Sequence, residues 1–303
     1  MFSRRIRIRT MFSPNTVLID AFVAHTVQEY RSLFSDAEDG QVQALERAAH
    51  TALETLLHCD CSYHDIQHTI LVTEVGQTIL HGRQLARGDL TAHEWLQAVV
   101  AMLFHDVGYL RNLMPSDRDN SCVINPQGER FTPPAGATDA AMTPYHVTRG
   151  AMYVRERFAN EPAIDTAMVS QCIEMTRFPV PLASKYRVTD SLPALVRCAD
   201  LIGQMADPQY PQKLSRLFVE FIETGEARRM GFANAESLRQ GFPQFFYSDV
   251  LPYIGDGVAY LKKTQQGQQW IANLYHHLHT YQPAHEYDPR IRAPELVVDN
   301  SRA

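Results

Sequence analysis

The sequence predicts an all-α fold. Apolar residues recur at helical spacing, for example in QVQALERAAHTALETLL (41–57), HEWLQAVVAMLFHD (93–106) and GQQWIANLYHHLHTY (267–281). No pair of alternating runs flanks a tight turn, as a β-hairpin requires. The chain has 303 residues, of which 45% are hydrophobic, so it can bury a large core. With a mean helix length of about a dozen residues, we expect roughly ten helices.

The charge and cysteine content narrow the class of protein. The formal net charge is -6, and basic residues concentrate only in the opening MFSRRIRIRT, so we expect no nucleic-acid partner. The five cysteines have no paired spacing, which is typical of a reducing cytoplasm. No run approaches the roughly 20 apolar residues that a membrane helix needs. The sequence thus predicts a cytoplasmic protein with neither a nucleic-acid nor a membrane partner.

The chain is predicted to form one helical domain between two tails. Residues 1–13 are expected to be a flexible basic tail and 283–303 an extended tail, which leaves 14–282 for the domain. Residues 111–144 contain five prolines and two glycines, which exclude a long helix. A connection of this length either covers a site, as a lid or pocket wall, or forms a surface insertion. The aromatic-rich stretch 241–257 is predicted to fill the core between helices.

Two histidines lie four positions apart in YHDIQH (63–68). Ser62 stands where an N-cap would, so a helix is predicted to begin at Tyr63. On that helix His64 and His68 share a face, and both imidazoles can point at one place. Asp65 is expected to stabilise the first turn through the helix dipole. By spacing alone, a pair of partly exposed surface histidines is the more frequent outcome.

A third histidine lies beside an aspartate at the predicted end of a strongly apolar helix. The helix through VVAMLF is expected to end near Gly108, which places His105 and Asp106 in its last turn. Because apolar residues surround the pair, it is predicted to be buried, and buried ionisable groups need partners. A metal ion would partner both side chains. A histidine bonded to the aspartate as a polar pair at the helix end is the alternative.

Three short motifs in a fixed order resemble a known signature. They are YHDIQHT (63–69), FHDVGY (104–109) and CADLIG (198–203). In this order and helical context they resemble the HD-domain superfamily of metal-dependent phosphohydrolases, which includes the cyclic-nucleotide phosphodiesterases. The resemblance covers roughly residues 50–205 and implies an HD-domain helical bundle, to which residues 206–282 would add C-terminal helices.

The resemblance also implies a metal site for one or two divalent ions, such as Zn, Mn, Mg, Fe or Ni. The residues that correspond to its ligands are His68, His105, Asp106 and Asp200. For Asp200 this rests on the resemblance alone. Its spacing from Arg197 and Gln204 would otherwise indicate an ordinary solvated stripe with a weak surface ion pair.

Further roles follow from the same resemblance. His64 corresponds to the histidine that protonates the leaving oxygen in the phosphodiesterase branch, although that branch usually has asparagine where Asp65 stands. His146 is a candidate ligand for a second ion. The six-ligand pattern is then one histidine short, and Glu174 or water would have to substitute. Arg149 could clamp a phosphate, although a surface arginine is the more frequent outcome.

The function implied is hydrolysis of a phosphate ester, which could be a nucleotide, a cyclic nucleotide or a small phosphoester. Metal-bound hydroxide would attack phosphorus, the Asp106 carboxylate could bridge two ions, and His64 would donate the proton. Two alternatives exist within the superfamily. Some members are diiron oxygenases, which usually have histidine in both extra ligand positions, and others are non-catalytic signalling modules that have lost their ligands.

Overall fold

The structure, a computed structural model, describes residues 13–118 and 120–281. It confirms the all-α class. Almost all of the two predicted tails, residues 1–12 and 283–303, lies outside the described residues, and so does residue 282. The α-helices are α1 (Pro14–Leu33), α2 (Asp39–Leu56), α3 (Ile66–Arg87), α4 (Ala92–Phe104), α5 (His146–Arg157), α6 (Thr166–Met175), α7 (Leu192–Met205), α8 (Tyr210–Thr224), α9 (Glu226–Arg229), α10 (Ala235–Gln240), α11 (Phe242–Phe245), α12 (Leu251–Leu261) and α13 (Gln265–Tyr281).

Helices α3, α4 and α7 pack at the centre of the fold. Helix α4 starts with a capping box formed by Thr91 and Glu94, and its residues from Trp95 to Phe104 are all buried. Helices α3 and α7 approach closely at Gly203, where an added Cβ would lie 2.7 Å from the Cα of Val72. This close approach holds the start of α3 and the second half of α7 beside the end of α4.

A short 3-10 turn, Val107–Tyr109, follows α4 and packs against α5. Gly108 makes this contact possible, because a Cβ there would lie only 1.9 Å from the carbonyl oxygen of His146. The first turn of α5 is therefore held directly against the residues that follow α4.

The segment between the 3-10 turn and α5 differs from the sequence prediction in one respect. It contains a small antiparallel hairpin, in which β1 (Cys122–Val123) pairs with β2 (Arg130–Phe131). The expectation that the chain has no hairpin was therefore wrong. Two-residue strands are too short to show the alternation from which strands are recognised.

The C-terminal helices cover one side of the central helices. In the aromatic-rich stretch Phe242, Phe246, Val250 and Ile254 are buried, which confirms that much of this stretch fills the core. The backbone widens to a π-turn over Phe246–Val250, just before Pro252, whose ring cannot be accommodated in a regular helical turn. None of the described helices combines the length and apolarity that a membrane crossing requires.

Candidate metal centre and cavity

Helix α3 begins three residues later than predicted. Asp65, rather than Ser62, is the N-cap, and its carboxylate accepts hydrogen bonds from the backbone N–H groups of Gln67 at 2.9 Å and His68 at 3.1 Å. His64 therefore precedes the helix and does not share a helical face with His68. The two rings nevertheless lie near each other, with centroids 5.6 Å apart.

His105 occupies the C-cap of α4 and is held in one orientation. Its Nδ1–H donates to the carbonyl oxygen of Met102 at 2.7 Å. This hydrogen bond fixes the tautomer, so the lone pair of Nε2 is directed away from the helix end. A ring fixed in this way is typical of a histidine that serves as a metal ligand.

The structure brings together the four residues that the sequence motifs supply. Nε2 of His68 and Nε2 of His105 lie 3.3 and 3.0 Å from Oδ2 of Asp106. The same nitrogens lie 3.5 and 3.6 Å from Oδ1 of Asp200 and 3.4 Å from each other. Candidate ligand atoms of His68, His105 and Asp200 all lie within 4.8 Å of one another, so these three residues form a possible metal-binding triad, with Asp106 beside it.

The chemistry of this cluster fits a divalent cation. Oδ2 of Asp106 is buried and has no hydrogen-bond partner among the described residues, because His68 and His105 approach it without the alignment of a hydrogen bond. Leaving a carboxylate oxygen buried without a donor is unfavourable. A cation would satisfy it, and a set of two imidazoles and two carboxylates suits zinc, manganese or iron.

The charges of the cluster shift the pKa of each imidazole. Burial alone would lower the pKa of His68 and His105, but the nearby carboxylates outweigh burial and raise each pKa to about 9. Burial would raise the pKa of Asp106, but the histidines hold it well below its usual range. Without a metal, protons on the imidazoles thus balance the carboxylates, and a bound cation would displace them.

His146 lies on the other side of Asp106. Its Nε2 is 3.9 Å from Oδ1 of Asp106, and its Nδ1–H donates to the carbonyl oxygen of Thr143 at 2.6 Å. Burial lowers its pKa to about 4, so the ring is neutral with a free lone pair on Nε2. Tyr109 stacks between His146 and His64, with ring centroids 4.2 and 4.6 Å away. Sequence reasoning did not single out Tyr109, although it ends the FHDVGY motif.

Glu220 was also missed, and it fixes His64. Glu220 lies on α8 and is 3% exposed. Its Oε2 lies 2.6 Å from Nδ1 of His64. Its Oε1 accepts from the backbone N–H of Tyr63 at 2.5 Å. Burial lowers the pKa of His64, but the charge of Glu220 outweighs it and raises that pKa. Glu220 lies on an amphipathic helix, 156 residues from His64 in the sequence. Nothing in the local sequence distinguishes it from a solvated glutamate.

The prediction that Arg149 clamps a phosphate is wrong. The residue is fully buried, and its guanidinium makes five hydrogen bonds, to the carbonyl oxygens of Gly108, Leu110 and Val123 and to both carboxylate oxygens of Asp117. All five donors are thus occupied within the protein. Arg149 holds the hairpin segment against the fold.

Glu174 does not complete the ligand set either. Its carboxylate accepts hydrogen bonds from Arg177 at 3.0 and 2.8 Å and from the hydroxyl of Tyr186 at 2.5 Å. It is not among the residues that line the cavity beside the cluster. The histidine missing from the six-ligand pattern therefore has no carboxylate substitute at this position.

A cavity of about 350 Å³ opens above the cluster. His64, His68, Asp106, His146 and Asp200 form its polar end. The apolar part of its wall consists of Val147, Phe178, Pro179, Leu201, Met205, Leu214, Leu217, Phe221, Met230, Phe232, Leu238, Phe242 and Phe245. The wall is built largely by α7, α8, α10 and α11.

The proline-rich segment contributes little to this cavity. Of the described residues within 111–144, only Thr143 and Pro144 line it. The described part of the remainder is fixed by Arg149 and by Arg111, whose guanidinium binds Asp139 at 2.8 Å and Asp60 at 2.7 Å. This arrangement corresponds to the surface insertion, whereas only the last two residues act as a pocket wall.

Comparison with known proteins identifies the family. A family model described as Npun_R2479-like matches residues 12–284. Because this match covers most of the chain, the protein belongs to the Npun_R2479-like family. No curated protein and no solved structure matches the chain.

Proposed function

We propose that this member of the Npun_R2479-like family is a metal-dependent phosphohydrolase built on an HD-domain helical bundle. One observation carries the proposal. Side chains from three sequence motifs meet at contacts of 3.0 to 3.6 Å, and among them Oδ2 of Asp106 is buried without an aligned hydrogen-bond donor. A cation would satisfy this oxygen, and the cluster opens directly into a cavity large enough for a small organic substrate.

The four residues have defined parts in this proposal. His68 and His105 would hold the ion through Nε2, and Asp106 and Asp200 through their carboxylates. A divalent ion bound there would lower the pKa of a coordinated water and so supply hydroxide near neutral pH. His146 is the donor available for a second ion, since its ring is neutral and its Nε2 lies near Asp106.

His64 is the proposed general acid. Glu220 holds it at Nδ1, which leaves Nε2 as the ring nitrogen available to a ligand in the cavity that His64 lines. Because Glu220 raises the pKa of His64, the ring keeps its proton over more of the neutral range. A histidine in this state can donate a proton to a leaving oxygen.

The donors around the cavity favour hydrolysis over the oxygen chemistry of the diiron branch. Among the described residues, the histidines that line the cavity are His64, His68 and His146. His64 is bound to Glu220, and Glu174 is bound to Arg177 and Tyr186. A second iron would thus have only His146 beyond the shared carboxylate of Asp106, which is fewer ligands than the six-ligand pattern requires.

Elemental analysis combined with a phosphoester panel tests the proposal. We expect protein purified without chelator to contain a divalent metal and to hydrolyse at least one ester of the panel. Asp106→Ala should lose both the metal and the activity. Asp89→Ala, which removes an exposed carboxylate paired with Arg83 at 2.9 Å, is the matched control and should keep both.

Three results would contradict the proposal. Metal and phosphoesterase activity that both survive in Asp106→Ala would remove the site from the reaction. Iron with oxygen consumption and no ester hydrolysis would identify the oxygenase alternative. Purified protein that binds no divalent metal would favour the alternative in which the domain is a non-catalytic signalling module.

A further inference from the structure

From the walls of the cavity we infer that the substrate is a phosphate ester of an apolar alcohol, rather than of a sugar or a nucleoside. The inference rests on the proposed function, because it assigns the phosphate to the metal end. Beyond that end, the side chains that face the cavity are mainly aliphatic and aromatic, among them Leu201, Leu214, Leu217 and Phe242. Such a wall favours apolar groups, since burying them removes apolar surface from water.

The three threonine hydroxyls in the wall are already engaged. Thr143 donates to the carbonyl oxygen of Ala140 at 2.6 Å, and Thr176 donates to that of Ile173 at 2.8 Å. Thr224 likewise donates to the carbonyl oxygen of Glu220 at 2.9 Å. Each hydroxyl has a single proton, so these three groups have none left to donate to a substrate.

The other polar side chains of the wall include one amide and two arginines. The amide is Gln204, and the arginines are Arg177 and Arg229. Arg177 binds Glu174 at 2.8 Å, and Arg229 binds Glu226 at 2.6 Å. Each arginine of the described wall is thus neutralised by a carboxylate, and Gln204 is the single amide of the described lining that a base edge could meet. A sugar or nucleobase placed there would lose most of its hydrogen bonds to water without replacement.

The size of the cavity limits the alcohol. A volume of about 350 Å³ lies near the lower end of the range found for small-molecule pockets. A medium-length alkyl chain or a fused aromatic ring fits a pocket of this size. Phe178 and Phe245, whose rings contact each other with centroids 5.6 Å apart, are placed to pack against such a group.

Steady-state kinetics with the metal-loaded full chain test this assignment. We expect kcat/KM for 1-naphthyl phosphate and decyl phosphate to exceed the values for glucose 6-phosphate and AMP by about a hundredfold or more, because an apolar pocket rejects added polar groups by about this factor. Comparable values for all four esters, or higher values for glucose 6-phosphate or AMP, would overturn it.

A matched pair of variants locates the effect in the cavity. Phe245→Gln should raise KM for 1-naphthyl phosphate about tenfold, because it removes aromatic surface from the wall, and should leave KM for glucose 6-phosphate unchanged. Phe131→Gln changes a half-buried phenylalanine of the hairpin that does not line the cavity. It should leave both KM values unchanged. An equal effect of the two variants would contradict the inference.

A binding experiment separates this inference from the proposed function. We expect 1-naphthol, the product alcohol, to bind wild-type protein and Asp106→Ala alike, and Phe245→Gln more weakly, when followed by naphthol fluorescence. If no ester is hydrolysed but naphthol binds in this pattern, the function fails and the assignment of an apolar occupant stands. If esters are hydrolysed but naphthol does not bind, the function stands and the inference fails.

Discussion

Two buried polar clusters adjoin the short segment that follows α4, and they differ in how well their charges are matched. On the hairpin side, Arg149 and Asp117 are 0% and 1% exposed, and every donor of the guanidinium has an acceptor. On the cavity side, Oδ2 of Asp106 has no aligned hydrogen-bond donor among the described residues, although the imidazoles of His68 and His105 approach it at 3.3 and 3.0 Å.

The difference separates a structural role from a binding role. A buried charge that is fully hydrogen-bonded stabilises one arrangement of the backbone around it. A buried carboxylate oxygen without an aligned donor is less well satisfied, and a cation from outside the chain can satisfy it. By this criterion the Arg149 cluster completes the fold, whereas the Asp106 cluster is prepared for a cation.

The largest expected effect is on the matched cluster. Arg149→Met leaves Asp117 buried without its partner, and we expect a loss of about 3–5 kcal/mol in the free energy of unfolding. Urea denaturation measures this loss. Arg155→Met, an exposed arginine of the same helix that binds Ser170 at 3.0 Å, should lose less than about 1 kcal/mol. Similar losses for the two variants would show that the Arg149 cluster does not hold the segment.

The Asp106 cluster should respond in the opposite way to the loss of one of its charges. Asp106→Asn strands no charge, because the pKa of each imidazole is raised by the carboxylates and the rings can release their protons when one carboxylate is removed, whereas an arginine cannot. We expect the metal-free variant to unfold within about 1 kcal/mol of wild type.

Metal should then distinguish the variant from wild type. At a metal concentration a hundredfold above Kd, wild-type protein should gain about 2.7 kcal/mol, and Asp106→Asn should gain almost nothing. Thermal unfolding with and without chelator measures the difference. A variant that is stabilised by metal as strongly as wild type would exclude Asp106 from the site.

Local sequence identified most of the cluster but not its environment. His105 and Asp106 are adjacent at the end of a recognisable apolar helix, so their burial and their need for a partner could be predicted together. Asp200 was different, because its helical neighbours Arg197 and Gln204 suggested a solvated stripe. In the structure Arg197 is itself buried and donates to the carbonyl oxygen of Tyr186 at 2.7 Å.

What local sequence could not provide are contacts between residues distant along the chain. Periodicity does not show that Glu220 lies on the buried side of α8 opposite His64, because the pattern gives a face but not its neighbour. It also does not distinguish a surface arginine from Arg149, whose acceptors are backbone carbonyls of an irregular segment. The start of α3 was misplaced because Ser62 and Asp65 are both good N-caps, and tertiary contacts at Glu220 decide between them.

A smaller effect is expected at His64, a cavity residue whose partner, Glu220, belongs to the chain itself. Glu220→Gln weakens the hold on His64, and we expect kcat for alkyl phosphates to fall about 10²-fold with little change in KM. Esters with good leaving groups, such as p-nitrophenyl phosphate, need less protonation and should fall much less. This split distinguishes a defect in proton donation from a general loss of structure.

The control for this prediction lies on the same helix. Glu223 is exposed and accepts two hydrogen bonds from Thr138, each of 2.8 Å. Glu223→Gln should keep wild-type rates with both classes of ester. If Glu220→Gln slows both classes equally, Glu220 supports the fold rather than the proton donor.

The smallest expected effect concerns His277, a buried imidazole with one hydrogen-bond partner. It is less fully hydrogen-bonded than Arg149 but better satisfied than Oδ2 of Asp106. Its Nδ1–H donates to the carbonyl oxygen of Met205 at 2.9 Å, and burial lowers its pKa from the ordinary value of 6.5, an effect that this hydrogen bond and the charge of Asp207 only partly oppose. The unfolded chain therefore binds more protons at this position, so the free energy of unfolding falls as pH drops below about 6.5. The contribution is at most about 1.4 kcal/mol per pH unit.

His277→Gln should reduce that pH dependence while keeping a donor for the carbonyl of Met205. Unfolding curves between pH 5 and pH 8 measure the slope for wild type and variant. His58→Gln, which removes an exposed imidazole elsewhere in the chain, is the control and should follow wild type. If the slopes of the His277 variant and wild type coincide, this imidazole accepts its proton in the folded protein as readily as in the unfolded chain. A single hydrogen bond would then be enough to stabilise a charged histidine in the interior. The one unsatisfied oxygen of Asp106 would then not by itself explain why the Asp106 cluster would bind a cation.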